Sequence, residues 1–416
     1  MPRQSKKVPQ RRKKPVKVKQ QTPRLPIFGY NLNPEQKAAV THGSGPLLIV
    51  AGAGTGKTTV ITERVAWLLR EGKAKPEELL VLTFTEKAAQ EMEERIDRLL
   101  PYGYVDILIS TFHSFGERIL REYGLEVGLD TRFRILSAAE QWLLLRNAQS
   151  TLPLKHYKPL GNPTRFLHAL LTNFSRAKDE MVTPDQYLEY AQSLPKASEE
   201  EKEVAEKTLE VAECYGAYEQ LLRDSGHLDY GDLILQTLRL VQERPSVAAN
   251  ARKRFTHILV DEFQDTNFAQ YELVKQLAAP RNNLTVVGDD DQSIYKFRGA
   301  SISNILEFKR DFPGSAEVSL VRNYRSAQNI LDLAYSFIQK NNPNRLEAQL
   351  NDTMLQGKGR PLANPISKKL KSSHAGKGTI RLLEEADADT EASAVVDDIL
   401  HKKKAEGASW NDFAIP

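Results

Sequence analysis

Short runs of unbroken apolar residues recur along the chain, and amphipathic stretches separate most of them. "PLLIVA" (46–51), "ELLVLTF" (78–84), "DILIST" (106–111), "THILVDE" (256–262) and "NLTVVGD" (283–289) have the length and composition of strands. These runs are continuous rather than alternating. A strand of that kind is covered on both faces, as in a parallel sheet flanked by helices. Segments 57–71, 86–100 and 112–123 between them carry apolar positions at helical spacing, and Pro34 in "NLNPEQKAAV" stands where proline opens a helix. The pattern predicts an α/β core whose folded part begins near Ile27.

Residues 124–255 break this rhythm. "AAEQWLLLRNAQ" and "EEEKEVAEKTLEVAECYGAYEQLL" have helical spacing, and few strand-like runs interrupt them, so this stretch reads as a helical unit inserted into the α/β one. After Ser319, "LVRNYRSAQNILDLAYSFI" leads into a polar, Gly/Pro/Lys-rich stretch (341–378) expected to be mostly loop. A strand over "GTIRLLE" (378–384) and a helix over 391–407 are expected to follow. The final "WNDFAIP" starts an apolar run, which reads as a cut rather than a domain boundary.

A length of 416 residues suits about three domains. The single cysteine, Cys214, excludes an intrachain disulfide and a cysteine-cluster metal site, and reads as a small buried hydrophobe. With no run of roughly 18 apolar residues and no signal-peptide core, the sequence predicts a cytoplasmic protein. The net charge of +4 is unevenly placed: residues 1–34 hold ten Lys or Arg and no acid, which leaves −6 for the remainder. "KKVPQRRKKPVKVK" is therefore either a solvated disordered tail or an electrostatic arm for nucleic-acid phosphates.

"GAGTGKT" (52–58) fits GxxxxGK[ST] from its second position on, with Ala51 at the first, between a buried strand and a helix start. Backbone N–H groups of Gly52, Ala53, Gly54, Thr55 and Gly56 would converge on phosphates, with Thr59 in the first helical turn. Lys57 would reach the β and γ phosphates of a nucleotide, and the Thr58 hydroxyl would ligate Mg2+. "HILVDEFQD" (257–265) supplies acids at a strand end: Asp261 to hold Mg2+ through water and Glu262 to position or deprotonate the attacking water.

Together with that loop, the DExQD box formed by Asp261, Glu262, Phe263, Gln264 and Asp265 resembles superfamily 1A DNA helicases of the UvrD/Rep/PcrA type. Further boxes stand in that family's order: "LNPEQ" (32–36), "LTFTEKAAQEMEER" (82–95), "STFHSFG" (110–116), "LDYGDLI" (228–234), "VVGDDDQSIYKFRGA" (286–300) and "NYRS" (323–326). The resemblance implies a P-loop NTPase fold: a RecA-like parallel sheet with an inserted all-helical subdomain and the start of a second RecA-like domain. The divisions it implies are a basic disordered tail (1–26), a first RecA-like domain (27–115 and 231–312), a helical accessory subdomain (116–230) and an incomplete second RecA-like domain (313–416).

It further implies ATP and Mg2+ as cofactors, with Gln36 reading the adenine edge and Tyr324 stacking on the base. Gln292 would link the γ-phosphate to the DNA groove, and Arg325 would contact that phosphate from the second domain. Phe84, Thr85, Phe112, His113, Phe297 and Arg298 would line a track for single-stranded DNA and its junctions with duplex. Core packing competes with stacking for each aromatic among them. Family members often carry tryptophan where this chain has Phe297. In the family the second domain runs well past "NYRS" and carries another catalytic arginine, so the chain reads as part of a longer helicase or as half of a site that a partner completes. Within 341–378, "NRLEAQL" and "ISKKLKS" compete for one expected position. The implied activity is ATP-dependent translocation or unwinding, 3′ to 5′, in repair or replication. Alternatives are an ATP-dependent single-strand-binding or regulatory module, and the helicase part of a helicase-nuclease.

Overall fold

The computed structural model describes residues 29–100, 106–158, 161–293, 303–343, 345–348 and 367–415. The basic tail lies outside them. In chain order, α1 (Pro34–Val40) precedes β1 (Leu47–Ala51), α2 (Lys57–Arg70), β2 (Leu79–Thr83), α3 (Glu86–Leu99), β3 (Leu108–Thr111) and α4 (Phe112–Tyr123). An excursion then runs from β4 (Arg134–Ile135) through α5 (Ala138–Asn147), α6 (Leu167–Asp179), α7 (Pro184–Ser193) and α8 (Glu199–Ser225) to β5 (His227–Leu228). The chain returns through α9 (Tyr230–Glu243), α10 (Pro245–Arg254), β6 (His257–Val260), α11 (Phe268–Ala278), β7 (Leu284–Gly288), α12 (Ser303–Asp311) and β8 (Ala316–Leu320). Beyond lie β9 (Arg322–Asn323), α13 (Gln328–Ile338), β10 (Lys371–Ser372) and α14 (Ala388–Glu406).

Six strands form one parallel sheet in the order β3-β2-β6-β7-β1-β8. Every residue of β1, β2 and β7 is buried, as their unbroken apolar runs require. Alternate side chains enter two separate cores. Leu48, Val50, Leu80, Leu82, Ile258 and Val286 pack toward α4, α9 and α11. Leu47, Ile49, Leu79, Val81, Leu259 and Val287 pack toward α1, α2 and α3. Each side chain buried in this way contributes about 1.5 to 3 kcal/mol. The sheet's carboxyl edge is thereby held rigid, and the loops leaving β1, β6 and β7 open there.

The excursion has its own core around Leu145, Leu167, Phe174, Tyr215, Tyr218 and Leu222. Its two ends meet, because β4 pairs in parallel with β5 (Arg134 with His227, Ile135 with Leu228). That neck is two residues long on each side, too short to show in the hydrophobic pattern. Beside it Lys178 of α6 is fully buried, with Nζ 2.6 Å from Glu219 of α8, 2.8 Å from Asp229 and 2.7 Å from Asp232 at the start of α9. The three acids have the spacing of a metal site. The lysine ammonium fills it.

Three expectations need correction. The division expected at 312/313 falls ahead of β8, yet β8 pairs with β1 along five residues and so belongs to the first sheet. The helical unit expected from 116 starts inside α4, whose Phe115, Ile119 and Leu120 are already committed to the sheet's core. Residues 378–384 form no strand: Ile380, Leu382 and Leu383 are exposed, and no described strand runs beside them to satisfy their backbone. No described helix is long and apolar enough to cross a membrane.

Candidate active site

The turn after β1 ends at Gly56, whose φ of 90° and ψ of 36° are left-handed, and α2 starts at Lys57 with no side chain capping its first N–H groups. Those donors and the helix dipole make an anion site. Lys57, 9% exposed, extends to Glu262 Oε2 at 2.6 Å and Gln292 Oε1 at 3.2 Å. The loop after β1, the acids after β6 and the turn after β7 therefore meet on one ammonium.

The segment after β8 closes over the same loop. Asn323 Nδ2 donates to Ala53 O at 2.6 Å, and Tyr324 N donates to Gly54 O at 2.9 Å. A Cβ at position 54 would lie 2.7 Å from Asn323 Nδ2 and 2.8 Å from Arg325 Cβ, so this close approach requires glycine. Gln36 donates to Thr55 O at 3.0 Å, and Tyr324 Oη accepts from Asn33 Nδ2 at 3.0 Å. Gln36, Gly54 and Tyr324 line a cavity of about 600 Å³ together with Ala53, Gly56, Lys57, Thr58, Thr59, Arg95, Glu262, Gln292 and Arg325. The sequence-predicted nucleotide residues are thus brought together, apart from Gly52 and Thr55, whose contribution is to hold the turn through a Thr55 Oγ1 to Gly52 O bond of 2.7 Å.

Glu262 is held in a left-handed conformation (φ 49°, ψ 45°) that a non-glycine residue adopts at a cost of about 1 to 2 kcal/mol. Strain of this kind collects at functional sites. Its carboxylate accepts from Gln264 Nε2 at 2.7 Å as well as from Lys57. Asp261 is buried, and burial, reinforced by the charge of Glu262, pushes its carboxyl up to about 7. Burial and then Glu262 push Asp265 up to about 6. Both acids share a cavity of about 560 Å³ with Thr58, Thr83 and Gln264. Oxygen donors whose negative charge lacks compensation fit a hard divalent cation such as Mg2+.

The UvrD/REP helicase N-terminal domain model matches residues 32–313. The chain belongs to that family. Curated relatives include the ATP-dependent DNA helicase PcrA of Bacillus subtilis, 42% identical over 76% of this chain and 40% of its own length. The ATP-dependent DNA helicase UvrD1 of Mycobacterium tuberculosis is 43% identical over 74% of this chain and 39% of its own. The chain spans about 40% of the length of these relatives.

For a member of the UvrD/REP family, the residues expected on nucleic acid divide into three groups. Phe84 and Thr85 line the Asp261 cavity, and Phe84 also opens, with His113, into a neighbouring cleft of about 840 Å³ between the sheet and the helical excursion. His168, Arg176 and Tyr230 are on the walls of that cleft. His113 meets Tyr230 edge-on at 5.7 Å, and burial lowers its pKa, which favours a neutral ring. Phe112 is a correction: it is 3% exposed in the core with Leu48 and Leu80, so its ring has no face for a base. Phe297 and Arg298 lie outside the described residues.

Sequence reasoning gave no individual role to Asn33, Arg95, Gln264 or Asn323. Each lies in a segment that carries the family resemblance. Their signal was polar character beside the glycine loop or the DE pair, without a pattern that distinguishes a positioning amide from a solvated one.

Proposed function

We propose that the chain is the nucleotide-binding part of an ATP-dependent DNA helicase or single-strand translocase, moving 3′ to 5′ and serving repair or replication in the cytoplasm, on the nucleoid. The same protein in a nucleated cell would act in the nucleus. Its partners are single-stranded DNA and single-strand/duplex junctions. The observation that carries this reading is that Tyr324 and Arg325, from the segment beyond the sheet, line one cavity with Lys57, Glu262 and Gln292.

Bound ATP with Mg2+ supplies the phosphoanhydride whose hydrolysis drives movement. The N–H groups opening α2 and the Lys57 ammonium hold the phosphates, and Gln36 and Tyr324 hold the base. Thr58 and Asp261 are the candidate cation-holding residues. Lys57 moving onto phosphate releases the Glu262 carboxylate, which then orients the attacking water and takes its proton. Arg325 adds positive charge only when its segment is closed, so hydrolysis and segment movement are coupled. Phe84 and the cleft beyond it are near enough to the acids for that movement to change the grip on a strand.

The test is Lys57→Ala in the complete gene product. Expected is loss of single-strand-stimulated ATP hydrolysis with most nucleic-acid binding retained. Stimulated hydrolysis that survives the change overturns the assignment.

A further inference from the structure

Three consecutive acids, Asp289, Asp290 and Asp291, follow β7 and precede Gln292. All three converge on one ammonium. Lys368 Nζ lies 2.6 Å from Asp289 Oδ1, 2.5 Å from Asp290 Oδ1 and 2.7 Å from Asp291 Oδ2. Arg345 grips Asp291 with two parallel bonds of 2.7 Å, from Nε to Oδ1 and from Nη2 to Oδ2. Leu346 N donates to Asp290 Oδ2 at 2.8 Å, and Lys368 N to Glu347 Oε1 at 3.0 Å. Arg345 is 4% exposed and Lys368 7%. Two residues past Lys368, Leu370 packs on the phosphate loop so tightly that a Cβ at Gly52 would meet its Cδ2 at 2.9 Å. The two segments that competed for one position thus both dock, one cation from each.

The clasp reaches Gln292 through the carboxylate of Asp289. Asp289 Oδ1 faces Lys368, while Asp289 Oδ2 accepts from Gln292 Nε2 at 2.6 Å. A glutamine amide has one donating and one accepting end. With Nε2 committed to Asp289, Oε1 turns to Lys57, where it accepts at 3.2 Å. We propose that Lys368, assisted by Arg345, is a positioning residue that fixes the amide of Gln292 against Lys57 and so sets the preference of the site for a nucleoside triphosphate over a diphosphate.

The inference rests on the ATP-site reading. The physical reason is electrostatic: without Lys368, three adjacent carboxylates repel one another in a buried turn, and Asp289 no longer holds one fixed orientation. Gln292 then samples both amide orientations. The diphosphate, held mainly by the loop and helix N–H groups, is indifferent to that change.

The experiment measures binding of a fluorescent ADP to the purified 416-residue chain with Mg2+, and its displacement by a non-hydrolysable ATP analogue. Lys368→Met is expected to cut the triphosphate preference about tenfold while ADP affinity stays within about twofold. Lys368→Arg is expected to restore the preference. Gln292→Ala should lose the same preference, with Lys368→Met adding nothing to it. Should Lys368→Met fail to fold, Asp289→Asn tests the same link, since an amide there no longer dictates the orientation of Gln292; the same loss is expected. An unchanged preference in either variant, equal weakening of both nucleotides, or additive losses with Gln292→Ala overturns the inference. If the parent chain binds neither nucleotide, the reading of the site itself fails, and the role of the clasp with it.

Discussion

Lys57 and Lys178 are both long cations taken out of water, and their surroundings differ in number of anions and in room. Lys178 meets three carboxylates, one from α8 and two from the cap and first turn of α9, with its side chain fully enclosed. Burial opposes its charge, but Asp232, Asp229 and Glu219 outweigh it and hold the ammonium well above the usual lysine range. Lys57 meets one carboxylate and one amide, and a cavity of about 600 Å³ adjoins it. The first arrangement is closed and ties the helical excursion to the sheet. The second can exchange its partner for another anion. Burial alone therefore does not mark a functional lysine; incomplete neutralisation beside a cavity does.

The largest test of this contrast is stability. Lys178→Met leaves buried carboxylates unpaired and should cost about 3 to 5 kcal/mol in urea unfolding, whereas Lys57→Met should cost less than about 1 kcal/mol. Equal losses would end the distinction. A smaller effect is expected in binding: Glu262→Gln removes the carboxylate that pairs with Lys57, so ATP affinity measured without turnover should rise about three- to tenfold while hydrolysis falls. Weaker binding would show that the pair supports the nucleotide rather than yields to it.

The smallest concerns the joint between the two regions. Asp179 of α6 accepts from Asn267 Nδ2, at the cap of α11, at 2.5 Å, and burial, with the nearby charge of Glu180, pushes its carboxyl up to about 7. A folded pKa above the unfolded one costs stability as pH rises from near 4 through 7, because the unfolded chain ionises first. Asp179→Asn should therefore raise Tm by roughly 1 to 3 °C at pH 8 and by less at pH 5. A gain independent of pH would assign the effect to packing instead.

The strands, the glycine loop and the acids after β6 were legible because burial on two faces and phosphate geometry each impose a residue pattern. Three kinds of feature were hidden. β4 and β5 are held by each other and the surrounding core rather than by an apolar run, so nothing local announces them. Phe112 carries the same residue type whether it faces a base or Leu80; only the register of α4 against the sheet decides. Lys368 and Arg345 are separated from the acids they neutralise by more than fifty residues, and basic residues in a polar stretch look solvated until a partner is seen.

β8 ends at Leu320 in the rigid sheet, and Arg325 follows five residues later. At about 3.5 Å per residue the link spans at most roughly 17 Å. So short a tether keeps the local concentration of the guanidinium near the phosphate loop in the millimolar range or above, whatever the rest of its segment does. If Arg325 serves the site as proposed, its release is never a true dissociation, and each return is a unimolecular event, set by the stiffness of five residues rather than by diffusion.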